Sequence, residues 1–477
     1  MGKVLFKKSR NKVFKDVTPE GFAPVFKQAL EANKSKLNNP SLITAYYEQH
    51  DYDPELLMDH IANDDIESVL SYLQKSGEHG LDPKIFKAGE IKDLLNKFYT
   101  KKGVKNLNEA YQDMAQLEML LANSLINYTN AMQFGILNPR RIYARYFTQT
   151  QRPDSISMSR VFYTTSFSHY LDSIQPKSPQ YIALQKALAS GYTAPNMTPE
   201  ETQRALIVNL ERLRWKNKPT QTRYVQVNIP DFRLDVIDGG KSTLNMKVCV
   251  GEGRNKDYTN TLLEYDDSDK TDRPFSRETP QLNSMINEAE VNPVWNIPAS
   301  IASKEIIVEA RKDPYYLSNS NINVYKDGKL VEDSETIDWN DADATNYSFK
   351  QQPGDDNSLG KIKFLFPNKS SVYLHDTPAK AAFDRSMRAI SHGCVRLEKP
   401  LDFAQALFGE GPKYQMIAKL MDENRSEPTD VALPKKVPLY ITYVTCWDDE
   451  NGQLQFRPDV YGLDIVLYAH LQKFLAS

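Results

Sequence analysis

The chain has 477 residues, of which 40% are apolar and 25% are charged, and its formal net charge is −3 at pH 7. This length allows two or three domains with a core of their own, and the slightly acidic balance argues against a nucleic-acid-binding protein. No apolar run approaches the roughly 18 residues of a membrane-spanning helix. Three cysteines are an odd number, which excludes a fully paired disulfide scaffold.

The first half of the chain is predicted to be helical. Residues 1–40 are basic, polar and weakly patterned, which predicts a flexible lead-in. Beyond them, the apolar side chains of residues 66–73 and 106–132 repeat at the spacing of one helical face. A further helix is predicted to follow Thr198, because Thr-Pro-Glu-Glu has the spacing of a capping box with proline at the first helical position. We therefore predict an all-helical scaffold domain over residues 41–217.

The pattern changes at residue 218, and a mainly β catalytic domain is predicted over residues 218–477. Apolar and polar residues alternate with period two there, as in half-buried strands, and Asp238-Gly239-Gly240 predicts a hairpin turn. Together with the helical half, these strands predict an α+β fold. The strand candidates are residues 223–229, 231–237, 244–250, 322–325, 361–366, 371–375 and 437–444.

A segment of about residues 299–345 interrupts the strand pattern. It contains two helix-like pieces and a small hairpin at residues 326–329. We interpret this segment as an inserted lid, because it lies between the first strands and the region that carries the candidate chemistry. A lid at that place would limit the entry of water into a catalytic cleft.

The candidate chemistry lies between His375 and Cys394. Residues 371–375 alternate polar and apolar side chains, and residues 394–397 form a short run that follows a glycine. A free thiol has a pKa of about 8.5, so it needs a nearby base to become a nucleophile at neutral pH. If the two runs pack side by side, the imidazole of His375 is that base. The other cysteines, at positions 249 and 446, lie in apolar strand patterns and are interpreted as buried structural residues.

The spacing of these residues resembles that of the L,D-transpeptidases with a YkuD-type catalytic domain. Their signature is a histidine, a spacer of about fifteen residues, then Ser/Thr-His-Gly-Cys, a hydrophobic residue and Asn or Arg, which His375 and residues 391–396 match. Arg396 stands where the smallest members carry Asn. Three flanking stretches resemble the long branch of the family, which has a helical scaffold domain: residues 209–215, 292–298 and 360–368.

The resemblance implies roles for the central residues. Cys394 is the nucleophile and His375 the general base, while Gly393 leaves room for a substrate carbonyl at a backbone amide that serves as an oxyanion hole. In the family a backbone carbonyl just after the histidine orients the imidazole. This implies the carbonyl of Asp376 rather than its carboxylate, because consecutive strand residues point to opposite faces.

The neighbouring side chains are predicted to shape the loop and to bind substrate. Ser391 is predicted to hydrogen-bond the loop backbone. His392 is predicted to supply packing or polarity, since some family members carry Ser there. Tyr373, on the strand of the base, is counted among the substrate-binding residues.

Two interpretations of Arg396 stay open. Its guanidinium either holds a substrate carboxylate in a two-pronged contact or pairs with an internal acid such as Glu398 or Asp402.

A metal site is the alternative for the same residues. His375, His392 and Cys394 are three ligand types that zinc accepts. Positions 392 and 394 are separated by one residue only, however, which is shorter than the usual gap between paired zinc ligands, and no fourth ligand clusters nearby. This pattern disfavours zinc.

The resemblance implies a peptidoglycan L,D-transpeptidase that needs no cofactor. Such an enzyme releases D-alanine from a stem peptide, holds the rest as a thioester, and passes it to an amine of another stem as a 3→3 crosslink. Two alternatives remain: a cysteine hydrolase (an L,D-carboxypeptidase) acting on stems or on wall-linked protein, and a wall-binding scaffold with a decayed site. The intact His375 and Cys394 argue against the last.

The same resemblance implies partners and a location. The partners are donor and acceptor stem peptides, carbapenem β-lactams as inhibitors, and cell-wall synthesis proteins that bind the helical scaffold, with no nucleic acid among them. The first residues contain no apolar core of signal-peptide length. The resemblance therefore implies a periplasmic protein whose secretion signal has been removed from this sequence.

Overall fold

The computed structural model describes residues 1–253, 267–340, 342, 344–423 and 427–475. It has a helical N-terminal half and a mainly β C-terminal half, so the predicted α+β fold is confirmed. Among the described residues, no helix combines the length and the apolar character that crossing a bilayer requires.

The helices of the N-terminal half begin at residue 2 and end at residue 214. The helix predicted after Thr198 is present with its capping box, in which the Thr198 and Glu201 side chains each accept a hydrogen bond from the other's backbone N–H. The helices are α1 (Gly2–Ser9), α2 (Pro19–Asn33), α3 (Pro40–Gln49), α4 (Glu55–His60), α5 (Asp65–Gln74), α6 (Ala88–Tyr99), α7 (Leu107–Phe134), α8 (Pro139–Ile142), α9 (Ser155–Ser159), α10 (Phe167–Ser173), α11 (Pro179–Ala189) and α12 (Pro199–Arg214).

The prediction of a flexible lead-in over residues 1–40 is wrong. This segment contains α1 and α2, and its Phe14, Phe22, Phe26 and Leu30 are buried in the same cluster as the apolar face of α7. Three of these side chains recur four residues apart, which places them on one face of α2. The lysines spread over residues 1–40 conceal this amphipathic pattern, and burial of the aromatic rings fixes the segment to the scaffold.

Among the described residues, the strands of the C-terminal half form one large curled sheet and two small ones. The large sheet has the order β11-β3-β12-β10-β9-β4-β13-β1-β2, and β2 also pairs with β3, so the sheet bends back on itself. The strands are β1 (Arg223–Asn228), β2 (Arg233–Asp238), β3 (Lys241–Gly251), β4 (Leu282–Val291), β5 (Trp295–Ile297), β6 (Ile322–Lys326), β7 (Lys329–Leu330), β8 (Tyr347–Gln351), β9 (Ile362–Leu365), β10 (Leu374–His375), β11 (Ala389–Ser391), β12 (Val395–Leu397), β13 (Thr429–Thr442), β14 (Cys446–Asp448) and β15 (Leu454–Phe456).

The turn predicted at Asp238-Gly239-Gly240 joins β2 to β3. Asp238 pairs with Lys241, so the loop contains only Gly239 and Gly240, whose φ angles are +57° and +81°. Two consecutive positive φ values suit the two-residue turns that match the twist of a hairpin, and glycine adopts them without strain.

The strand predicted over residues 371–375 is shorter than expected. Only Leu374 and His375 pair as β10, and Ser371 has a φ of +51°. The Asn368 side chain holds this bend, since its amide oxygen accepts from the Val372 N–H at 3.1 Å and its amide group donates to the Val372 carbonyl at 2.9 Å. The alternation of polar and apolar side chains therefore predicted the end of the strand correctly but did not indicate the turn before it.

The segment predicted as a lid belongs to an insertion between β4 and β9, which are neighbours in the large sheet. The insertion has its own sheet, with the order β5-β8-β6-β7, and its own apolar cluster around Ile307, Leu317 and Phe349. Its helices are α13 (Ala299–Ile301), α14 (Ile307–Lys312) and α15 (Tyr316–Asn319), with one π turn at Ala302–Ile306. The small sheet reaches from residue 295 to 351, so it exceeds the predicted range of 299–345 on both sides.

The scaffold and the large sheet share buried contacts. Val208 and Trp215 lie in the same apolar cluster as the strands. Arg212 of α12 forms a buried ion pair with Asp464, which lies at the start of the last helix. The last helices are α16 (Pro400–Phe408), α17 (Pro412–Asp422) and α18 (Leu463–Leu475). The boundary at residues 217 and 218 stays a prediction, and the core extends across it.

Candidate active site

The candidate site lies on one face of the large sheet. Side chains alternate between the faces along each strand, and register partners on neighbouring strands share a face. Leu374 pairs with Phe364 on one side and Val395 on the other, and all three are fully buried in the apolar cluster. The next residue of β10, His375, must therefore point to the opposite face.

A row of polar side chains crosses this opposite face. His375 pairs with Lys363 of β9 and with Arg396 of β12, Lys363 pairs with Glu290 of β4, and Arg396 pairs with Cys249 of β3. We call Glu290, Lys363, His375, Arg396 and Cys249 the polar row. Lys363 Nζ lies 2.9 Å from Glu290 Oε2, so one cation of the row is paired.

Cys394 directly precedes β12 and is half-buried. It is two residues from Arg396 and so faces the side of the polar row. The Val395 N–H donates to the Tyr373 carbonyl at 2.9 Å, which continues the parallel pairing of β10 and β12. Burial raises the pKa of the Cys394 thiol to about 11, although the Tyr373 backbone N–H and the charges of Arg396 and Lys363 favour the thiolate. The thiol therefore needs a base.

The imidazole of His375 is buried and oriented by the backbone. Its Nδ1–H donates to the Asp376 carbonyl, with 2.5 Å between Nδ1 and the oxygen. Burial and the Arg396 guanidinium lower the pKa of His375 to about 4, so the ring is neutral at pH 7. An imidazole that donates through Nδ1 keeps its lone pair on Nε2, where it can accept a proton.

The carboxylate of Asp376 is turned away from this ring. Its Oδ2 accepts from the Lys361 N–H at 2.9 Å, and its Oδ1 lies 2.6 Å from Lys380 Nζ. Gly360 lies so close to this carboxylate that an added Cβ would stand 2.4 Å from Asp376 Oδ2. The side chain thus fixes the turn before β9, while the carbonyl orients His375.

The loop before Cys394 is held by its own side chains. The Ser391 hydroxyl accepts from the Gly393 N–H at 3.2 Å and donates to the Cys394 carbonyl at 2.5 Å. Gly393 has a φ of +116°, a conformation that other residues avoid. Ser391 therefore closes a tight turn that presents Cys394 at the start of β12.

His392 contacts the insertion rather than the sheet. Its Nε2 lies 2.6 Å from Glu305 Oε1, which belongs to the π turn, and Arg277 Nη2 lies 2.7 Å from the same oxygen. Arg277 also contacts Glu252 at 3.3 Å. The insertion is thereby attached, two residues before Cys394, to residues 391–394, which we call the nucleophile loop.

Glu398, one of the acids predicted to pair with Arg396, has another contact. Glu398 instead accepts from the Lys247 N–H at 3.0 Å. Within the described ranges, Arg396 has no ion pair with Glu398 or Asp402, and its buried Nε has no hydrogen-bond partner. The other alternative, a two-pronged contact of this guanidinium with a substrate carboxylate, stays a prediction.

Tyr373 is half-buried next to the nucleophile. Its pKa is raised by burial and by the neighbouring Cys394, and its ring centroid lies 5.6 Å from Lys363 Nζ. The aromatic ring thus forms one wall beside the thiol. The assignments of these residues to catalysis and substrate binding stay predictions.

The residues proposed as zinc ligands diverge. His375 donates through Nδ1 to a backbone carbonyl, and His392 points to Glu305. In the part of the chain that the structure describes, no group of three or more His, Cys, Asp or Glu side chains is arranged to hold a metal ion.

The other two cysteines are buried. Cys249 packs with Ala382 and Phe383, and Cys446 packs against the scaffold helices α11 and α12. Burial raises the pKa of both thiols. Cys249 nevertheless lies on the polar-row face, which its apolar sequence context did not indicate.

Several residues around His375 and Cys394 were not predicted from the sequence. Glu305 contacts a residue 87 positions away, and Lys363 looks like an ordinary exposed strand residue. Thr279 and Tyr461, described below, support the nucleophile loop from distant segments. No local pattern distinguishes them, because each acts through a contact that only the folded chain creates.

Comparisons with known proteins match two separate parts of the chain. A family model described as L,D-transpeptidase catalytic domain (YkuD) matches residues 222–408, and one described as Scaffold domain matches residues 41–188. A protein of Haemophilus influenzae (strain Rd) with the name "Putative L,D-transpeptidase" is 28% identical over 352 residues. The match covers 73% of this chain and 66% of that protein, slightly under two thirds of its length.

Proposed function

The chain carries a YkuD-family L,D-transpeptidase catalytic domain and an N-terminal scaffold domain, and we propose that it forms 3→3 crosslinks in peptidoglycan through a thioester on Cys394. The observation that carries this proposal is the parallel pairing of β10 with β12 inside the matched catalytic domain. It brings His375 beside Arg396 and sets Cys394 on the same face.

The neutral forms of both groups support a general-base mechanism. His375 Nε2 takes the proton of the Cys394 thiol as sulfur attacks the carbonyl of the third stem residue. The tetrahedral oxyanion is stabilised by backbone N–H groups of the loop. The C–N bond then breaks, the imidazolium gives its proton to the leaving D-alanine amine, and a thioester remains.

The second half of the reaction uses the same proton acceptor. An amine of another stem attacks the thioester carbonyl, and His375 removes a proton from the attacking amine nitrogen. The C–S bond breaks, the thiol is regenerated, and an amide joins the two stems. Arg396, whose Nε lacks a partner within the described structure, holds a carboxylate of the donor stem.

The insertion acts as a lid over this reaction. The contact between Glu305 and His392 supports that role, because it joins the insertion to the nucleophile loop. A covered thioester meets fewer water molecules, so transfer to an amine competes better with hydrolysis.

The proposal extends to location and partners. Peptidoglycan lies outside the cytoplasmic membrane, so the protein works in the periplasm. Its scaffold domain binds other cell-wall synthesis proteins. Carbapenems acylate Cys394, because their strained lactam carbonyl resembles the acyl donor. No cofactor takes part, since the chemistry requires only a thiol, a base and backbone donors.

The test is analysis of muropeptides by mass spectrometry after incubation of the protein with tetrapeptide-bearing peptidoglycan. Crosslinked dimers and free D-alanine are expected with the wild-type chain, and neither is expected with Cys394→Ala. Crosslinking by Cys394→Ala at the wild-type rate would overturn the assignment.

A hydrolase acting on stems is distinguished in the same experiment. Addition of an amine acceptor raises the yield of crosslinked product if the thioester is passed to amines. Release of D-alanine without any dimer, at every acceptor concentration, would favour the hydrolase instead.

A further inference from the structure

Thr279 supports the nucleophile loop from beneath. Its hydroxyl accepts from the Gly251 N–H at 2.8 Å and donates to the Gly393 carbonyl at 2.8 Å. Thr279 is 2% exposed, so no water competes for these contacts. The hydroxyl proton is directed to Gly393, because the oxygen already accepts from Gly251.

The position of the Gly393 carbonyl determines where the next N–H points. In a trans peptide the carbonyl oxygen and the following N–H lie in one rigid plane and point in opposite directions across the C–N bond. A carbonyl held by Thr279 therefore directs the Cys394 N–H away from Thr279. Within the described ranges this N–H has no acceptor, so it is available to a ligand.

Tyr461 in turn holds Thr279. Its hydroxyl accepts from the Thr279 N–H at 3.1 Å and donates to the Gly251 carbonyl at 2.7 Å. Tyr461 is buried, and its own N–H donates to the Tyr443 hydroxyl at 2.9 Å. The segment before α18 thus reaches the nucleophile loop through two side chains.

We propose that Thr279 is a positioning residue, which aims the Cys394 backbone N–H at the oxyanion of the acyl-transfer reaction, and that Tyr461 fixes Thr279 for this task. The inference rests on the proposed function, since it assumes that Cys394 is acylated. It adds to that proposal two residues outside the motif, Thr279 and Tyr461.

Two reagents that attack Cys394 by different chemistry test the proposal. Acylation by a carbapenem or by p-nitrophenyl acetate builds negative charge on a carbonyl oxygen and needs the donor. Alkylation by iodoacetamide displaces iodide and creates no oxyanion. We expect Thr279→Val to slow both acylations about 10- to 100-fold, while the rate of alkylation and its pH profile stay within about twofold of wild type.

Three further variants complete the experiment. Thr279→Ser keeps the hydroxyl and should restore acylation to within about threefold of wild type. Tyr461→Phe should slow acylation less than Thr279→Val, about 3- to 10-fold, because Thr279 keeps its contact with Gly393. Thr442→Val removes a comparable threonine contact, to the Val227 carbonyl at 3.1 Å, and should leave all rates unchanged.

The outcomes separate this inference from the proposed function. Acylation and alkylation that fall together in Thr279→Val, or an acylation rate that does not change, would overturn the positioning role. A wild-type protein that reacts with p-nitrophenyl acetate but makes no crosslinks would refute the transpeptidase proposal and leave the role of Thr279 measurable. A wild-type protein that is alkylated but never acylated would overturn both.

Discussion

The two faces of the large sheet are made by alternate residues of the same strands and yet have different tasks. On one face, Phe364 and Leu374 are fully buried, and Phe364 packs edge to face on Phe403 of α16 with 4.8 Å between ring centroids. On the other face, Lys363 and His375 belong to the polar row. The core face is covered by apolar side chains, whereas the loop beside the site face contacts the insertion through His392 and Glu305.

Whether a side chain serves stability or chemistry therefore depends on the face of the sheet that it occupies, and not on the segment of the chain to which it belongs. A substitution on the core face should change the free energy of unfolding and leave the chemistry of the folded molecules intact. A substitution one residue away should do the reverse. The following experiments test that division.

The largest effect on the acylation rate is expected from substitution of His375, the general base. His375→Gln should lower the rate of Cys394 acylation by about 10²- to 10⁴-fold, since the neutral imidazole that accepts the thiol proton is lost. Acylation of the purified variant is followed by intact-mass spectrometry. His79→Gln is the matched control, because His79 is also buried with its pKa lowered to about 4, yet it lies in the scaffold. Equal losses in both variants would contradict the assignment.

On the core face, Phe364→Ala should lower the free energy of unfolding by about 3–5 kcal/mol, because it removes a buried ring and leaves a cavity. Urea titration measures this change. Phe364→Leu should lower the free energy of unfolding by a smaller amount. Folded molecules of either variant should keep an acylation rate within about tenfold of the wild-type rate. Loss of acylation without loss of stability would break the division between the faces.

The pH dependence of stability gives a third test. The pKa of His375 is about 4 in the fold and about 6.5 in an unfolded chain, so the unfolded state binds a proton first as the pH falls. His375 therefore destabilises the fold progressively between pH 6.5 and 4. Relative to wild type, His375→Gln should gain on the order of 1–3 kcal/mol when the pH falls from 7 to 4. A difference between the two proteins that does not change with pH would show that His375 titrates normally.

The cover of the site face is tested by Glu305→Gln. The variant weakens the contacts to His392 and Arg277, and pairs this exposed are worth at most about 1 kcal/mol. We therefore expect a two- to fivefold rise in the ratio of hydrolysed to crosslinked product, measured by chromatography of the muropeptides. Glu309→Gln breaks an exposed pair with Lys312 within the same insertion and should leave the ratio unchanged. A ratio that rises equally in both variants would assign the effect to the insertion in general.

The smallest effect is expected at Cys249, which shares the site face but is fully buried. Cys249→Ala should retain acylation within about twofold, and iodoacetamide should modify only Cys394 in the native protein, as peptide mapping can establish. Modification of Cys249 at a comparable rate would mean that the site face is open beyond the nucleophile.

The sequence predicted those parts of the fold that depend on interactions between residues close together in the chain. The capping box at Thr198 and the Gly239-Gly240 turn each involve residues within a few positions of one another. The spacing of His375 and Cys394 was equally readable, because a short connection that contains β11 joins the adjacent parallel strands β10 and β12. In residues 1–40 two local signals disagree: the lysine-rich composition predicts an exposed segment, whereas Phe22, Phe26 and Leu30 recur at a helical spacing and are buried.

The remaining features depend on contacts between distant segments. The bend at Ser371 is held by the Asn368 side chain, and the contact of His392 with Glu305 joins the loop to the insertion. The burial of Cys249 on the site face follows from its register with Arg396. None of these has a signature in the sequence, because each depends on which strands become neighbours.

The support of Gly393 by Thr279 and Tyr461 also determines when the site can form during synthesis. Tyr461 is 182 residues from Thr279 and 210 from Gly251, and it follows Cys394 by a further stretch of chain that includes β13. A growing chain therefore contains its histidine and its cysteine well before it contains the residue that fixes the loop between the strands. Long-range contacts of this kind form late in folding. Until Tyr461 is added, Thr279 lacks one of the contacts that hold it, so a growing chain contains its cysteine before the support of the surrounding loop is complete.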